Sequence, residues 1–144
     1  MNSLIFFIAP ISGYLSAGIL KFVVNSLKKK KLAFSEVGLG RFPSTHNTIV
    51  STTYFVISFQ KGFDSPESSI ALALCLIVLI DSLDLRKKIE AHARIISEIS
   101  NKQHNLRKEI GHTPFEVFGG YFLGLVVALL LTSETFNEFL NYFS

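Results

Sequence analysis

The chain has 144 residues, 14 Lys and Arg against 11 Asp and Glu, 49% hydrophobic and only 17% charged residues, which excludes a disordered or fibrous protein and leaves a single domain over residues 1–144. A formal net charge of +3 is too small to point to nucleic acid as a partner. The apolar residues fall in long blocks and the charges in separate runs, the pattern of a chain that sits in a bilayer. Cys75, the single cysteine, lies in the apolar run Ile70–Ile80. It allows no intrachain disulfide and no zinc site, and reads as a packed thiol.

Leu4–Val24 is the first apolar block; at about 1.5 Å per residue a helix of this length matches a hydrocarbon core of about 30 Å. Its basic run, Lys28–Lys31, follows rather than precedes it, which argues against a cleaved signal peptide. Thr48–Phe59 and Ser68–Ile80 are shorter than an ordinary span. Taken alone each fits a buried strand or core helix; between full spans they are expected to cross as short helices shielded by their neighbours, because strands in lipid leave backbone groups unpaired. After Asp81 the chain is expected to stay helical to about Lys102, with Leu85, Ile89, His92, Ile96 and Ile99 on one face and Asp84–Lys88, Glu90–Arg94 and Glu98–Lys102 as i,i+4 pairs. Pro114–Leu131, whose one charge is Glu116, is the last span. The expected fold is all-α: an integral membrane bundle of about four transmembrane helices with an amphipathic helical extension.

The connections orient the bundle. Lys28–Lys31, Arg41, Arg86, Lys87, Lys88, Arg94, Lys102, Arg107 and Lys108 fall on one side and only Lys61 on the other, which predicts a cytoplasmic basic face, with both termini and the turn Lys61–Pro66 outside.

Polar residues collect where the apolar blocks end on the basic side. Lys21 closes the first, Pro43-Ser44-Thr45-His46 opens the second, Asp81 and Arg86 follow the third, and Gly111-His112-Thr113-Pro114 with Glu116 opens the fourth. Alternating helices bring these ends together, so one Lys, one Arg, two His and two carboxylates can line one pocket suited to a phosphate on a lipid tail. Each residue also has a plainer role. Lys21 can snorkel to the headgroups, Ser44 or Thr45 can cap a helix, and Thr113-Pro114-Phe115-Glu116 has the form of a capping box. His92 and His104 fit packing or solvated positions, Lys28–Lys31 a topology signal, and Gly119, Gly120 and Gly124 close helix packing.

The stretches Ala17-Gly-Ile-Leu-Lys21, Gly40-Arg-Phe-Pro-Ser-Thr-His46, Asp81-Ser-Leu-Asp-Leu-Arg86 and Gly111-His-Thr-Pro-Phe-Glu-Val117, followed by Gly119-Gly120, resemble the divergent PAP2 family, small bacterial and plastid membrane proteins related to acid phosphatases and vanadium-dependent haloperoxidases. The matches run in order across nearly the whole chain. The resemblance implies that Lys21 and Arg86 bind phosphate, that Ser44 and the Thr45 and His46 amides cradle it, that His46 is the general acid, His112 the nucleophile and Glu116 its orienter, and that Asp81 positions Arg86 or a His. Where the family usually has Gly-Gly-Met-Pro-Ser-Ser-His this chain has Gly40 to His46, so Arg41 either adds a phosphate contact or blocks one. Asp84, Glu90 and His92 also depart from the family pattern, and Leu106, beside Arg107, stands where the wider superfamily has an Arg.

The function expected from these residues is a lipid phosphate phosphatase. It would cleave a phosphomonoester or pyrophosphate of a membrane lipid at the cytoplasmic leaflet, through a phosphohistidine intermediate and without a cofactor. Its partners are the membrane and its lipid phosphate, not nucleic acid, with homo-oligomerisation left open. Its expected place is the bacterial inner membrane, with the site facing the cytoplasm. Two alternatives use the same residues: a divalent metal held by His46, Asp81, His112 and Glu116 in a membrane hydrolase, and a non-enzymatic lipid-binding or scaffolding protein in which the helix ends need not converge.

Overall fold

The computed structural model describes residues 3–30, 42–99 and 111–134. Every regular element among them is helical. Helix α1 spans Leu4–Lys29, α2 Thr45–Lys61, α3 Pro66–Ile80, α4 Arg86–Ile99 and α5 Pro114–Leu131. A π turn, Asp81–Leu85, joins α3 to α4 without a break, so Pro66–Ile99 forms one rod of 34 residues. Of the sequence features singled out above, Arg41, Lys31, Lys102, His104, Leu106, Arg107 and Lys108 lie outside the described residues, and with them the Glu98–Lys102 pair.

α1, the rod and α5 are each long and apolar enough to cross a membrane. Phe7, Tyr14 and Ile19 on α1, Ile70 and Ile77 on α3, and Phe115, Phe118 and Leu130 on α5 all turn outward. Water would not tolerate apolar surface on this scale, whereas lipid is its natural surrounding. The chain is therefore an integral membrane helical bundle, as its hydropathy predicts.

α2 sits at the centre, packed against α1, α3 and α5. It is 17 residues long and its buried face is mostly polar: Asn47, Thr48, Ser51, Thr52 and Ser58 are buried beside Val50 and Val56. Facing lipid, such a stripe would lack partners. Inside the bundle the hydroxyls return to the helix's own carbonyls, Thr48 to Ser44 at 3.0 Å, Ser51 to Asn47 at 2.6 Å and Thr52 to Thr48 at 2.8 Å. These short side chains also admit a neighbouring backbone closely. A Cβ added at Gly120 would lie 2.7 Å from the Ser44 carbonyl oxygen and 3.1 Å from Asn47 Cβ, and one at Gly124 would collide with Ser51. The Gly120-x-x-x-Gly124 spacing is thus the seat of α2 on α5.

The antiparallel order of α1, α2, α3 and α5 divides the bundle lengthwise. At one end Ile5, Ala9, Val56, Val127, Ala128 and Leu131 form an apolar core. There α2 ends at Gly62, whose φ of 97° suits a residue without Cβ, and Ser65 caps α3 by accepting from the Ser68 amide at 3.2 Å. The other end carries the polar residues.

α4 extends beyond this end as an amphipathic helix, with Ile89, Ile96 and Ile99 exposed, as is Leu85 at the end of the π turn. Two of the expected pairs form, Lys88 Nζ to Asp84 Oδ2 at 2.8 Å and Arg94 to Glu90 Oε1 at 2.7 Å.

Candidate active site

Four chain segments meet at the polar end. Lys21, near the C-terminal end of α1, is only 5% exposed. Burial of this kind turns the ammonium into the bundle, not out to the headgroups, and its charge acts on both His46 and His112.

The second segment is the start of α2. Ser44 holds the N-cap position, yet its side chain makes no capping bond; its hydroxyl accepts from Asn47 Nδ2 at 2.7 Å. The Ser44 amide donates to the Glu116 carbonyl at 3.0 Å, which ties the start of α2 to the start of α5. Ser44 is fully buried, whereas Thr45 is partly open and His46 is exposed.

The third segment is the π turn, where the Arg86 amide donates to the Asp81 carbonyl five residues back. In an α-helix residues five apart point about 140° from each other, at roughly 100° per residue. The wider turn brings them onto one face, and Arg86 Nε donates to Asp81 Oδ2 at 2.5 Å. Asp81 thus orients the guanidinium.

The fourth segment precedes α5. Thr113 is the N-cap, Pro114 the first helical residue and Glu116 the third, and both bonds of the capping box form: Glu116 N donates to Thr113 Oγ1 at 3.3 Å and Thr113 N to Glu116 Oε2 at 2.8 Å. The same Oε2 lies 3.3 Å from His112 Nδ1. A carboxylate only accepts, so this contact places the imidazole hydrogen on Nδ1 and leaves the Nε2 lone pair for chemistry. Capping and orienting His112 are one arrangement served by one oxygen. The His112 amide in turn donates to the Ser82 carbonyl at 3.3 Å, inside the π turn.

The electrostatics record the same convergence. Burial lowers the His46 pKa below 6.5; the charges of Arg86, His112 and Lys21 lower it further and Asp81 raises it. The His112 pKa is also lowered, first by burial, against the bond and charge of Glu116, which raise it, and together with Lys21 and Arg86, which lower it. The structure therefore gathers Lys21, Ser44, His46, Asp81, Arg86, His112 and Glu116 at one end of the bundle. Among the described residues no three His, Cys, Asp or Glu side chains form a group able to hold a metal; Asp81 is engaged by Arg86 and Glu116 by the cap.

The acids that depart from the family pattern are occupied elsewhere. Asp84 pairs with Lys88, and Glu90 holds Arg94 and accepts the Gly111 amide through Oε2 at 3.2 Å. Glu90 thus braces the segment that leads to His112, a role that the sequence reading did not assign. Asn47 and Ser82 were also missed. The available signal was the spacing of Ser44, Asn47 or Thr48, Ser51, Thr52 and Ser58, a polar stripe at helical period opposite the glycines of α5.

The sequence pattern of the divergent PAP2 family matches residues 2–127. The chain belongs to this family. It is 22% identical over 144 residues to the uncharacterized membrane protein YuiD of Bacillus subtilis (strain 168), an alignment that covers 86% of this chain and 91% of the relative. No solved structure matches it. Membership makes the chain a phosphatase-related membrane protein, and the four segments that carry the resemblance are the four that meet at the polar end.

Proposed function

We propose that this protein is a lipid phosphate phosphatase that works through a phosphohistidine. The observation that carries the reading is the His112–Glu116 contact of 3.3 Å, set among His46, Lys21 and Arg86 at the end of a bundle whose outer walls are apolar.

In this reading Lys21 and the Asp81-oriented Arg86 hold the phosphoryl oxygens, with the first N–H groups and positive dipole end of α2 at Thr45 and His46 completing the cradle beside Ser44. His112 Nε2 attacks phosphorus and the bond to the lipid oxygen breaks. His46 gives its proton to that oxygen. A water then loses a proton to His46 and attacks phosphorus, the P–N bond breaks, and inorganic phosphate leaves with both imidazoles restored. Glu116 keeps the Nδ1 hydrogen in place and offsets the positive charge that develops on His112. The lipid tail runs along the apolar helices and never leaves the membrane. The bias of basic residues along the sequence supports a site at the cytoplasmic leaflet, in a bacterium at the inner membrane; Arg41, which lies outside the described residues, is proposed as a further phosphate contact.

Release of inorganic phosphate from a long-chain lipid monophosphate in mixed micelles tests the proposal. His112→Ala should fall to background, and His46→Ala should lose about 10²- to 10⁴-fold, the usual contribution of general acid catalysis. Activity unchanged by both substitutions would overturn it.

A further inference from the structure

Asn47 is fully buried at the third position of α2. Its amide nitrogen donates to Ser44 Oγ at 2.7 Å and to Ser82 Oγ at 3.0 Å. The second bond crosses from α2 to the π turn, 35 residues along the chain. Ser82 is itself buried, and its backbone carbonyl receives the His112 amide. One side chain therefore links the segment that bears His46, the turn that bears Asp81 and Arg86, and, through Ser82, the segment that bears His112.

The other half of the amide is informative. Among the described residues Asn47 Oδ1 is buried without a hydrogen-bond partner, an arrangement that ordinarily opposes folding, since a buried acceptor left unpaired loses its hydration for nothing. Stability alone would favour a small apolar residue here. What the asparagine adds is two donor hydrogens on one rigid plane, aimed at two serines on different segments.

We infer that Asn47 is a positioning residue of the site: its amide latches the start of α2 to the π turn and thereby sets His46 against Asp81 and Arg86. The inference rests on the site proposed above, but the latch itself is a matter of geometry and is testable without turnover. His46 is faced by Lys21 from α1, by Asp81 and Arg86 from the π turn and by His112 from the segment before α5. Opening the latch loosens the packing on the buried side of His46 and separates it from Arg86, which lowers its pKa, and from Asp81, which raises it by less. Loss of the burial and of Arg86, the larger influences, outweighs loss of Asp81, so the pKa rises towards 6.5.

The test is the NMR titration of His46 in full-length, histidine-labelled protein in lipid nanodiscs, compared among wild type, Asn47→Ala, Ser82→Ala and the double variant. His46 should titrate below pH 6.5 in wild type and closer to 6.5 in each single variant. The double variant should shift no further than Asn47→Ala, because the two residues act through one bond. Thr53→Ala, which removes another α2 hydroxyl bonded to its own helix at 3.0 Å, should leave the titration unchanged. Ser82→Ala deletes only one of the two bonds and carries the test if Asn47→Ala does not fold. A His46 titration identical in wild type and Ser82→Ala, or a shift of equal size in Thr53→Ala, would overturn the latch. With lipid phosphate as substrate, kcat/KM should fall about 5- to 10-fold in Asn47→Ala, the value of one net hydrogen bond. Inactive wild-type protein whose His46 still shifts would contradict the phosphatase reading and uphold the latch.

Discussion

Glu116 Oε2 lies 3.3 Å from His112 Nδ1 and 2.8 Å from the Thr113 amide, so the residue that starts α5 also orients the imidazole beside it. The sequence offers these as rival readings of Glu116. They are compatible because the N-cap follows the histidine directly, and a side chain reaching back from the third helical position passes the cap amide on its way to the ring.

The double role separates two substitutions. Glu116→Gln keeps a side chain able to close the capping box, so its thermal unfolding should stay near that of wild type while activity falls about 10- to 100-fold, as expected for losing a charged hydrogen-bond partner. Loss of the carboxylate also removes what raises the His112 pKa, so His112 should titrate at lower pH than in wild type. Glu116→Ala loses the cap as well and should be less stable by about 1 kcal/mol. Equal activities in wild type and Glu116→Gln would remove the orienting role.

In the proposed mechanism the two histidines, His112 as nucleophile and His46 as general acid, set the pH dependence. Both pKa values are lowered from 6.5. The nucleophile must be neutral and the acid protonated, so kcat/KM should peak on the acid side of pH 6.5, between the two values. Stability has the same window with a definite sign: between the lowered values and 6.5 the unfolded chain binds more protons, so stability is full above pH 6.5 and falls as the pH drops through the folded-state values. Thermal unfolding in detergent from pH 7.5 to 5 measures this. The fall should be smaller in His46→Asn.

Arg86 and Asp81 form a pair at 2.5 Å whose side chains are 25% and 29% exposed. A partly exposed pair adds little to stability, so Asp81→Asn should unfold close to wild type. KM for the lipid phosphate should rise several-fold, because the guanidinium loses its orientation. Arg86→Lys keeps the charge but not the planar fork, and should recover only part of the activity lost in Arg86→Ala. Steady-state kinetics on the three variants distinguishes these outcomes.

The glycine seat of α2 on α5 makes a prediction about packing alone. Gly124→Ala drives a methyl group into Ser51 and should cost about 1 to 3 kcal/mol, as overpacking does. Gly18→Ala, with nothing within 4 Å of an added Cβ, should be nearly neutral. Comparable unfolding midpoints for the two variants would contradict the close approach of α2 and α5.

Hydropathy made the outer helices legible, because Leu4–Lys28 and Pro114–Leu131 each carry enough apolar length to need lipid, whereas α3 reaches that length only as part of the rod Pro66–Ile99. It served α2 less well. A helix enclosed by three neighbours has no lipid to satisfy, and its inward Ser, Thr and Asn weaken the signal that marks a span. The residues of the proposed site were legible wherever a residue carries chemistry on its own: Lys21, His46, Arg86 and His112 stand out at the ends of apolar blocks. The π turn was not, since Asp81 to Arg86 continues a helical pattern and a single wider turn changes which residues share a face without changing the composition. Asn47 and Ser82 were hidden for a related reason. Their role lies in a bond across 35 residues, which no local spacing announces.

In the proposed reaction His112 becomes phosphorylated. Brief incubation of the purified protein in lipid micelles with a lipid monophosphate labelled at phosphorus, below pH 6.5, followed by an alkaline quench and peptide mass spectrometry, tests it directly. Label is expected on the peptide that contains His112 and should be lost in His112→Ala. Steady release of inorganic phosphate with no labelled histidine, undiminished in His112→Ala, would contradict it.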